Sequence, residues 1–421
     1  MNLWIIHAQE NPAEPRHLEN RREWRSNSIA EELADRGHDV TRWRSSFSHQ
    51  AKTQLVANSE AVPAENYTLQ YIYAPAYKRH VGIRRILSHR ALGKEFKRIA
   101  SLRSDKPDLI HVGNVPTELC AAAVQFGKEY RIPVIVDIRD LWPDSYADLL
   151  PFELGRLRSP VVRLLQGLSR QTRRALRDAA AISALTDSFL DWALRLAQRQ
   201  KRPEDVVVPM CYPAPRVSND PDQSALLREK LCVSQESKLA IYLGNIGFQS
   251  NFDALVEAAE FLSEQRSDVV IVLAGSGPRY DQMRESSGRI PNLVVPGWLN
   301  ADDVSVILSQ ATFGLIAYRN IPNYEMNLPN KFSEYLAAGL PVAAGIGGEM
   351  GNLVEQHNCG FVYAEHDGKE LARKLMHYES SRSDVANMSR NAKILHASRF
   401  DRNVVIPELA DFLERVAMKH E

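Results

Sequence analysis

With 421 residues, 44% of them hydrophobic and 25% charged, the chain is long enough for two or three domains and has the make-up of a folded, water-soluble protein. Its 52 Lys and Arg balance 52 Asp and Glu, so formal net charge is zero; a general attraction to nucleic acid is excluded and any basic surface is local. Cys120, Cys211, Cys232 and Cys359 make no CxxC pair and no disulfide framework, which favours a reducing compartment and argues against structural zinc, and no apolar run nears the roughly 20 residues of a membrane span.

The opening MNLWIIHAQENP is apolar only over Leu3–Ala8 and predicts a first β-strand, not a signal peptide. Residues 26–36 place Ile29, Ala30 and Leu33 on one helical face, with Gly37 set to cap it. HDVTRW follows as a strand. DLIHV (Asp108–Val112) and PVIVDI (Pro133–Ile138) flank a helix over TELCAAAVQFGKEY, and AAISALT ends another unit. This alternation predicts a parallel sheet with helices on both faces. VVVPMCYPAPRVSNDPDQ (Val206–Gln223), rich in proline and polar residues, predicts a linker. A second series has strands LAIYLG, VVIVLAG, NLVVPG, FGLIAY and PVAAG. Its helices fit Phe252–Leu262, Tyr280–Ser286, Asp302–Ser309, Asn330–Ala338 and Met350–Gln356. FDRNVVIPELADFLERVAMKHE has the pattern of a final amphipathic helix. Ligands of such sheets bind beyond the carboxyl ends of the strands.

The segment NLPNKFSEYLAAGLPVAAG (Asn327–Gly345) carries the clearest chemistry. Pro329 can open its helix and Gly339 close it, with Pro341 beyond. Lys331 in the first turn opposes the helix dipole, and Glu334 shares its face. Either the two form a surface ion pair, or Lys331 and the free N–H groups at Asn330 hold a phosphate while Glu334 accepts bonds from sugar hydroxyls. GNIG (Gly244–Gly247) and GSGP (Gly275–Pro278) follow strands, where glycine lets backbone approach a phosphate or simply makes a turn. Neither is the dinucleotide fingerprint GxGxxG, which argues against a dehydrogenase. GIGGEMG (Gly345–Gly351) has that spacing without the later acidic residue, and is taken as a sugar-facing loop. DPD (Asp220–Asp222) is taken as a linker charge; no His/Asp/Glu cluster has metal spacing, so no metal site is assigned. His111 is taken as a strand residue, not a base.

LPNKFSEYLAAGLPVAA resembles the donor-binding segment of the family 4 retaining glycosyltransferases. ELADRGHDVT, KPDLIHV, IPVIVDIRDLWPDS, YLGNIGFQSNFDALVEAA, VLAGSGPRYDQM and NLVVPGWLNADDVSVILSQATFGLIAY follow in that family's order, and RDLWP is the form of its bacterial surface-polysaccharide branch. The resemblance implies an α/β chain of GT-B fold: two Rossmann-like domains facing each other across a cleft. It implies an acceptor domain at 1–208, completed by a C-terminal helix 398–421, a linker at 209–223, and a nucleotide-sugar domain at 224–397. Glu334 takes the ribose. Gly244, Asn245, Gly247, Gly275, Ser276, Gly277, Trp298, Leu328, Asn330 and Lys331 line the donor, and Lys331, Arg139 and Asp140 are the catalytic candidates. Three positions depart from the family. Met326 stands eight before Glu334 where a second glutamate is usual, with Glu325 one place off register. Asn245 and Ser250 replace an Arg and a Lys that neutralise diphosphate, for which Lys331 is the natural replacement. Arg139-Asp140 stands for His-Asp; Arg139 serves as a cation or pairs with Asp137 or Asp140.

The function expected is retaining transfer from a nucleoside-diphosphate sugar to a hydroxyl of a glycan or lipid-linked acceptor in cell-surface polysaccharide synthesis, with no cofactor beyond the donor. Two basic stretches, Tyr77–Arg98 and Ser159–Asp178, fit either ordinary solvated helices or contact with an anionic membrane surface. In the second, Val161, Leu164, Leu165, Leu168 and Ala175 oppose Arg163, Arg170, Arg174 and Arg177. The location expected is cytoplasmic, peripheral on the inner face of the cytoplasmic membrane. Nucleic acid is not expected as a partner and no oligomeric state is assigned. A nucleotide-sugar 2-epimerase of the same fold, or a non-catalytic sugar-nucleotide-binding scaffold, remains an alternative.

Overall fold

Apolar runs such as Leu3–Ile6 and Val269–Ala274 are buried along their whole length, as strands covered on both faces by helices must be. The computed structural model describes residues 1–12, 24–78, 82–145, 158–213 and 220–420, with the side chains of 158–164 outside the description. The chain divides into two compact units, Met1–Pro209 with Val405–Glu421, and Met210–Val404.

The first unit runs β1 (Asn2–Ile6), α1 (Arg25–Asp35), β2 (Asp39–Ser45), β3 (Phe47–Ser48), β4 (Thr53–Gln54), β5 (Ala61–Pro63), β6 (Thr68–Ile72), α2 (Ile83–Leu102), β7 (Leu109–Gly113), α3 (Thr117–Tyr130), β8 (Val134–Ile138), α4 (Arg158–Asp178), β9 (Ala181–Ala184), α5 (Asp187–Ala197) and β10 (Val206–Val207). Its sheet has the order β10-β9-β8-β7-β1-β2-β6-β5, parallel except for β5. Chain order reverses at β1, which pairs with β2 through Trp4 and Thr41 and with β7 through Ile5 and His111. On one face Trp4 and Trp43 pack 4.7 Å apart between ring centres, and Phe126 lies 5.7 Å from Trp4. In α4, Leu168, Thr172, Ala175 and Leu176 are buried while Arg170, Arg173, Arg174 and Arg177 are exposed.

The second unit runs α6 (Pro221–Leu231), β11 (Lys238–Asn245), α7 (Phe252–Glu264), β12 (Val269–Ser276), α8 (Tyr280–Ser287), β13 (Leu293–Gly297), α9 (Ala301–Gln310), β14 (Ala311–Ile316), α10 (Pro322–Glu325), α11 (Asn330–Ala338), β15 (Val342–Ala344), α12 (Gly348–Gln356), β16 (Gly360–Val362), α13 (Gly368–Ser380) and α14 (Arg382–Arg399). Its six strands are all parallel in the order β13-β12-β11-β14-β15-β16. This is the doubly wound arrangement, with its reversal between β11 and β14. The Val206–Gln223 stretch begins in β10 and ends in α6. Asp220 caps that helix, its carboxylate accepting from the N–H groups of Asp222 (2.9 Å) and Gln223 (3.4 Å).

The last helix, α15 (Arg402–Lys419), belongs to the first unit from Val405 onward. Leu409, Leu413 and Val416 are buried. Arg36 bonds Asp411 (2.6 Å) and Glu414 (3.1 Å), and His38 lies 2.8 Å from Glu414. Among the described residues no helix is long and apolar enough to cross a membrane.

Candidate functional site

The reversal between β11 and β14 opens two loops at the carboxyl ends of strands. GNIG leaves β11 and GSGP leaves β12, and the two are knitted together: Ile246 N–H donates to the Ser276 carbonyl (2.9 Å) and Arg279 N–H to the Ile246 carbonyl (3.0 Å). Only glycine permits this approach. Gly275 has φ +152°, and a Cβ there would meet the Gly244 carbonyl oxygen at 1.7 Å. At Gly277 a Cβ would fall 2.5 Å from both the Ile246 carbonyl oxygen and Asn245 Oδ1, so the Asn245 side chain lies across the second loop. Ser276 is exposed.

Helix α11 delivers the polar candidates. Pro329 precedes it with extended backbone and no side-chain cap, and no acid stands in the first turn, so its N-terminal N–H groups keep their positive field. Gly339 ends it in the left-handed conformation, φ +72°. Tyr335 sets its position. The phenol accepts from Leu243 N–H (3.0 Å) and donates to the Ile241 carbonyl (3.2 Å), both on β11. Its ring lies against Gly314 of β14, where a Cβ would sit 2.3 Å away. The side chain thus holds α11 to β11 and β14, the two strands of the reversal.

One turn earlier, Lys331 Nζ lies over the Tyr242 ring, 3.6 Å from its centre, and 5.2 Å from that of Tyr318. Tyr318 stacks on Tyr324 at 4.8 Å. The ammonium approaches Gly244 so closely that a Cβ there would be 3.4 Å from Nζ. Burial lowers the Lys331 pKa to about 7, against which the Glu334 carboxylate pulls upward. The Tyr242 hydroxyl, pushed up to about 12 by burial, donates to the Asn245 carbonyl (2.9 Å) and lies 3.3 Å from Ser250 Oγ. Ser250, where the resembled family has a cation, is a buried support for that tyrosine.

The remaining candidates divide. Gly244, Asn245, Gly247, Gly275, Gly277 and Lys331 come together at this point. Glu334 is half-buried, one turn beyond Lys331. Asn330 is exposed at the start of α11, and Trp298 is 69% exposed after β13. The Leu328 side chain is buried in the core and does not reach the site. The GIGG loop packs on α10: a Cβ on Gly348 would strike the Glu325 carbonyl oxygen at 2.1 Å. The tyrosines framing Lys331 were not among the sequence candidates. The available signal was a tyrosine near the end of each strand flanking the reversal, in AIYLG and LIAY.

Arg139 and Asp140 lie in the first unit, after β8. The Arg139 guanidinium is held by Asp137 (Nε to Oδ2, 2.7 Å) and by Glu10. Burial would raise both carboxyls, but the arginine overrides it and holds each well below the usual range. Asp137 also accepts from Ser183 (2.7 Å), and Arg25 Nε is 3.6 Å from it. Asn114 fastens the main chain here, donating to the Asp140 carbonyl (2.7 Å) and accepting from Arg139 N–H (3.2 Å). Glu10 and Asn114 were missed because each is far along the chain from Arg139. His111 is buried in β7, its pKa lowered to about 4 by burial. Among the described residues no three His, Cys, Asp or Glu side chains gather as metal ligands.

Two family profiles match the chain: one described as Glycosyl transferase 4-like domain over residues 23–210, and one described as Glycosyl transferases group 1 over residues 237–379. The chain is 22% identical over 344 residues to TuaC of Bacillus subtilis, a glycosyltransferase assigned to teichuronic acid biosynthesis, covering 77% of this chain and 79% of that protein. The sucrose-phosphate synthase of Thermosynechococcus elongatus superposes with a TM-score of 0.73 at 14% identity over 99% of both chains. Anabaena HepE in complex with UDP-glucose gives 0.66 at 15% identity over 99% of this chain and 100% of that one.

Proposed function

Since the chain belongs to the group 1 glycosyltransferases and has the GT-B fold, we propose that it transfers a sugar, with retention of configuration, from a nucleoside-diphosphate sugar to a hydroxyl of a glycan or lipid-linked acceptor of a cell-surface polysaccharide. The domain at 224–397 would hold the donor, and 1–208 with the C-terminal helix the acceptor. The observation that carries this reading is the Lys331 ammonium seated against Gly244 at the chain reversal. Ligands of doubly wound sheets bind there, and the nucleotide bound to HepE makes a diphosphate the natural anion.

In this reading the leaving group is the nucleoside diphosphate. As the bond from sugar carbon to phosphate oxygen breaks, its electron pair goes to that oxygen and the phosphate gains charge. Lys331, the first-turn N–H groups of α11 and the Gly244–Gly247 main chain face that charge, and stabilise it more in the transition state than in the ground state. The acceptor hydroxyl attacks from the side the diphosphate leaves, and its proton passes to the departing phosphate oxygen. Glu334 accepts bonds from the ribose hydroxyls; Ser276 and Trp298 flank the nucleotide. Arg139 acts as a fixed positive charge, not a proton donor, because Glu10 and Asp137 raise its pKa further despite burial. No metal or cofactor takes part, and the exposed arginines of α4 bind the protein to the anionic inner face of the cytoplasmic membrane.

Screening UDP-, GDP- and dTDP-sugars for hydrolysis or transfer tests the reading. Turnover of one donor, with the anomeric configuration kept, is expected. Isomerisation of the donor without acceptor, or binding of none, overturns it.

A further inference from the structure

The first sheet reverses at β1, whose neighbours β7 and β2 lead off to either side. Ligands of a doubly wound sheet enter beyond the carboxyl ends of the strands at such a point. His7 is the first residue beyond β1, and Gly113 is the last residue of β7. The two are in contact: a Cβ at Gly113 would fall 2.8 Å from His7 Cδ2 and 3.4 Å from Nε2. Any larger residue at 113 would push the imidazole out of the crevice.

The ring is held in one orientation. His7 N–H donates to the Trp43 carbonyl (3.0 Å), and Nδ1 accepts from the Glu10 N–H (3.3 Å). The Glu10 carboxylate is 4.0 Å from the same nitrogen, too far to accept from it, and is occupied by Arg139 and Ser26. Burial, helped by the Arg139 charge, lowers the His7 pKa to about 3, so the imidazole is neutral at physiological pH. A neutral imidazole has one N–H. With Nδ1 accepting, the hydrogen bond assigns that proton to Nε2. Among the described residues Nε2 has no hydrogen-bond partner, and it is not sealed in: the side chain is 14% exposed.

We propose that His7 binds the acceptor, its Nε2–H donating to a hydroxyl or ring oxygen of a saccharide. An uncharged donor suits an uncharged oxygen, and its fixed direction orients the sugar at the reversal. A nitrogen that already carries its proton cannot take the acceptor's, which is left for the departing phosphate oxygen. The proposal rests on the reading of the first unit as the acceptor side.

The test uses the full chain with isotope-labelled histidine. Long-range proton–nitrogen correlation spectra report which ring nitrogen of His7 carries the proton, with His7→Gln giving the assignment. A proton on Nε2 is expected; a proton on Nδ1 overturns the proposal. Octyl β-glucoside, octyl β-galactoside and octyl β-N-acetylglucosaminide are then titrated below their micelle concentrations. At least one is expected to shift the His7 Nε2–H, and no shift from any of them overturns the proposal. Two variants separate binding from support. His7→Asn keeps an oxygen to accept from the Glu10 N–H and loses the outer donor, whereas His7→Gln places an amide nitrogen near Nε2. Calorimetry is expected to show glycoside binding weakened about fivefold or more in His7→Asn and closer to native in His7→Gln. Native binding by folded His7→Asn overturns the proposal, because that variant keeps the supporting bond. Turnover of nucleotide sugars by the native chain is measured alongside. No turnover of any donor sinks the transferase reading; turnover without a glycoside at His7 sinks only this one.

Discussion

Lys331 Nζ lies 3.6 Å from the centre of the Tyr242 ring. An aromatic face attracts a cation without neutralising it. Burial therefore still depresses the ammonium, and it titrates near 7 where 10.5 is ordinary. Between about pH 7 and pH 10 the unfolded chain holds a proton here that the folded chain lacks. This group consequently makes the folded chain more stable as pH rises through that window, and costs most below it. Lys331→Met is expected to raise the melting temperature at pH 6.5, with the difference from the native protein closing by pH 10. A difference that stays constant across the range counts against the buried ammonium. Because a diphosphate favours the charged form, donor binding at pH 8 is expected to take up close to one proton, measurable by calorimetry in buffers of different ionisation enthalpy.

Lys331 and Glu334 are expected to fail in different ways. In the proposed donor site Lys331 would face a charge that grows as the bond breaks, so Lys331→Ala is expected to lower kcat as well as donor affinity. Glu334 is proposed to face ribose hydroxyls that do not change, so Glu334→Gln is expected mainly to raise donor KM. A charge-assisted hydrogen bond is worth about 1.5–3 kcal/mol, or roughly ten- to a hundred-fold in either constant. Two variants with native kinetics would remove both residues from the donor site and leave Lys331 as a buried cation seated on Tyr242.

Gly275→Ala would drive a Cβ into the Gly244 carbonyl at a φ of +152°. Overpacking of this kind costs about 1–3 kcal/mol, with more for the backbone strain, and it parts the two loops proposed to meet the donor. Loss of melting temperature together with a raised donor KM is expected. Gly167→Ala in α4 is the control, because nothing lies within 4 Å of a Cβ there. Equal behaviour of the two variants would remove the loop contact from the site.

Chelation by EDTA is expected to leave transfer intact, because the proposed site draws its positive charge from Lys331 and a helix terminus. A strict requirement for Mn²⁺ or Mg²⁺ that follows Asp220 or Asp222 would refute this, since Asp220 is assigned only to capping α6.

Arg170, Arg174 and Arg177 project from the exposed face of α4. Their replacement by Gln is expected to weaken binding to anionic vesicles, and added salt to release the native protein. The side chain of Arg163, the fourth arginine of that pattern, lies outside the described residues. Unchanged vesicle binding by a folded variant would make the three arginines ordinary solvated surface.

Helix α11 was legible to the residue because Pro329 and Gly339 punctuate it and the apolar spacing between them is regular. The strands were legible because parallel strands buried on both faces leave unbroken apolar runs, as in Val269–Ala274. Helix α2 was met only as a basic stretch: it exposes Ile83 and Leu87, so its apolar residues do not sort onto one face. In α14 long polar stretches surround the few buried positions, Ala392, Leu395 and His396. Lys331 could be singled out by its position against the helix dipole. Its seat between Tyr242 and Tyr318 could not, because those residues meet it only after β11 and β14 pair. The same holds for Arg139, whose partner Glu10 stands 129 residues earlier in the chain.

Helix α15 comes last in the chain and completes the part that is made first. A ribosome releases β1 through β10 long before Asp411 and Glu414 exist to meet Arg36 and His38. Until then α15 cannot cover the surface on which Leu409, Leu413 and Val416 are buried. The first unit is therefore complete only once α15 has been made and has docked, and a truncation that spares every strand of both sheets but removes α15 leaves that unit unfinished.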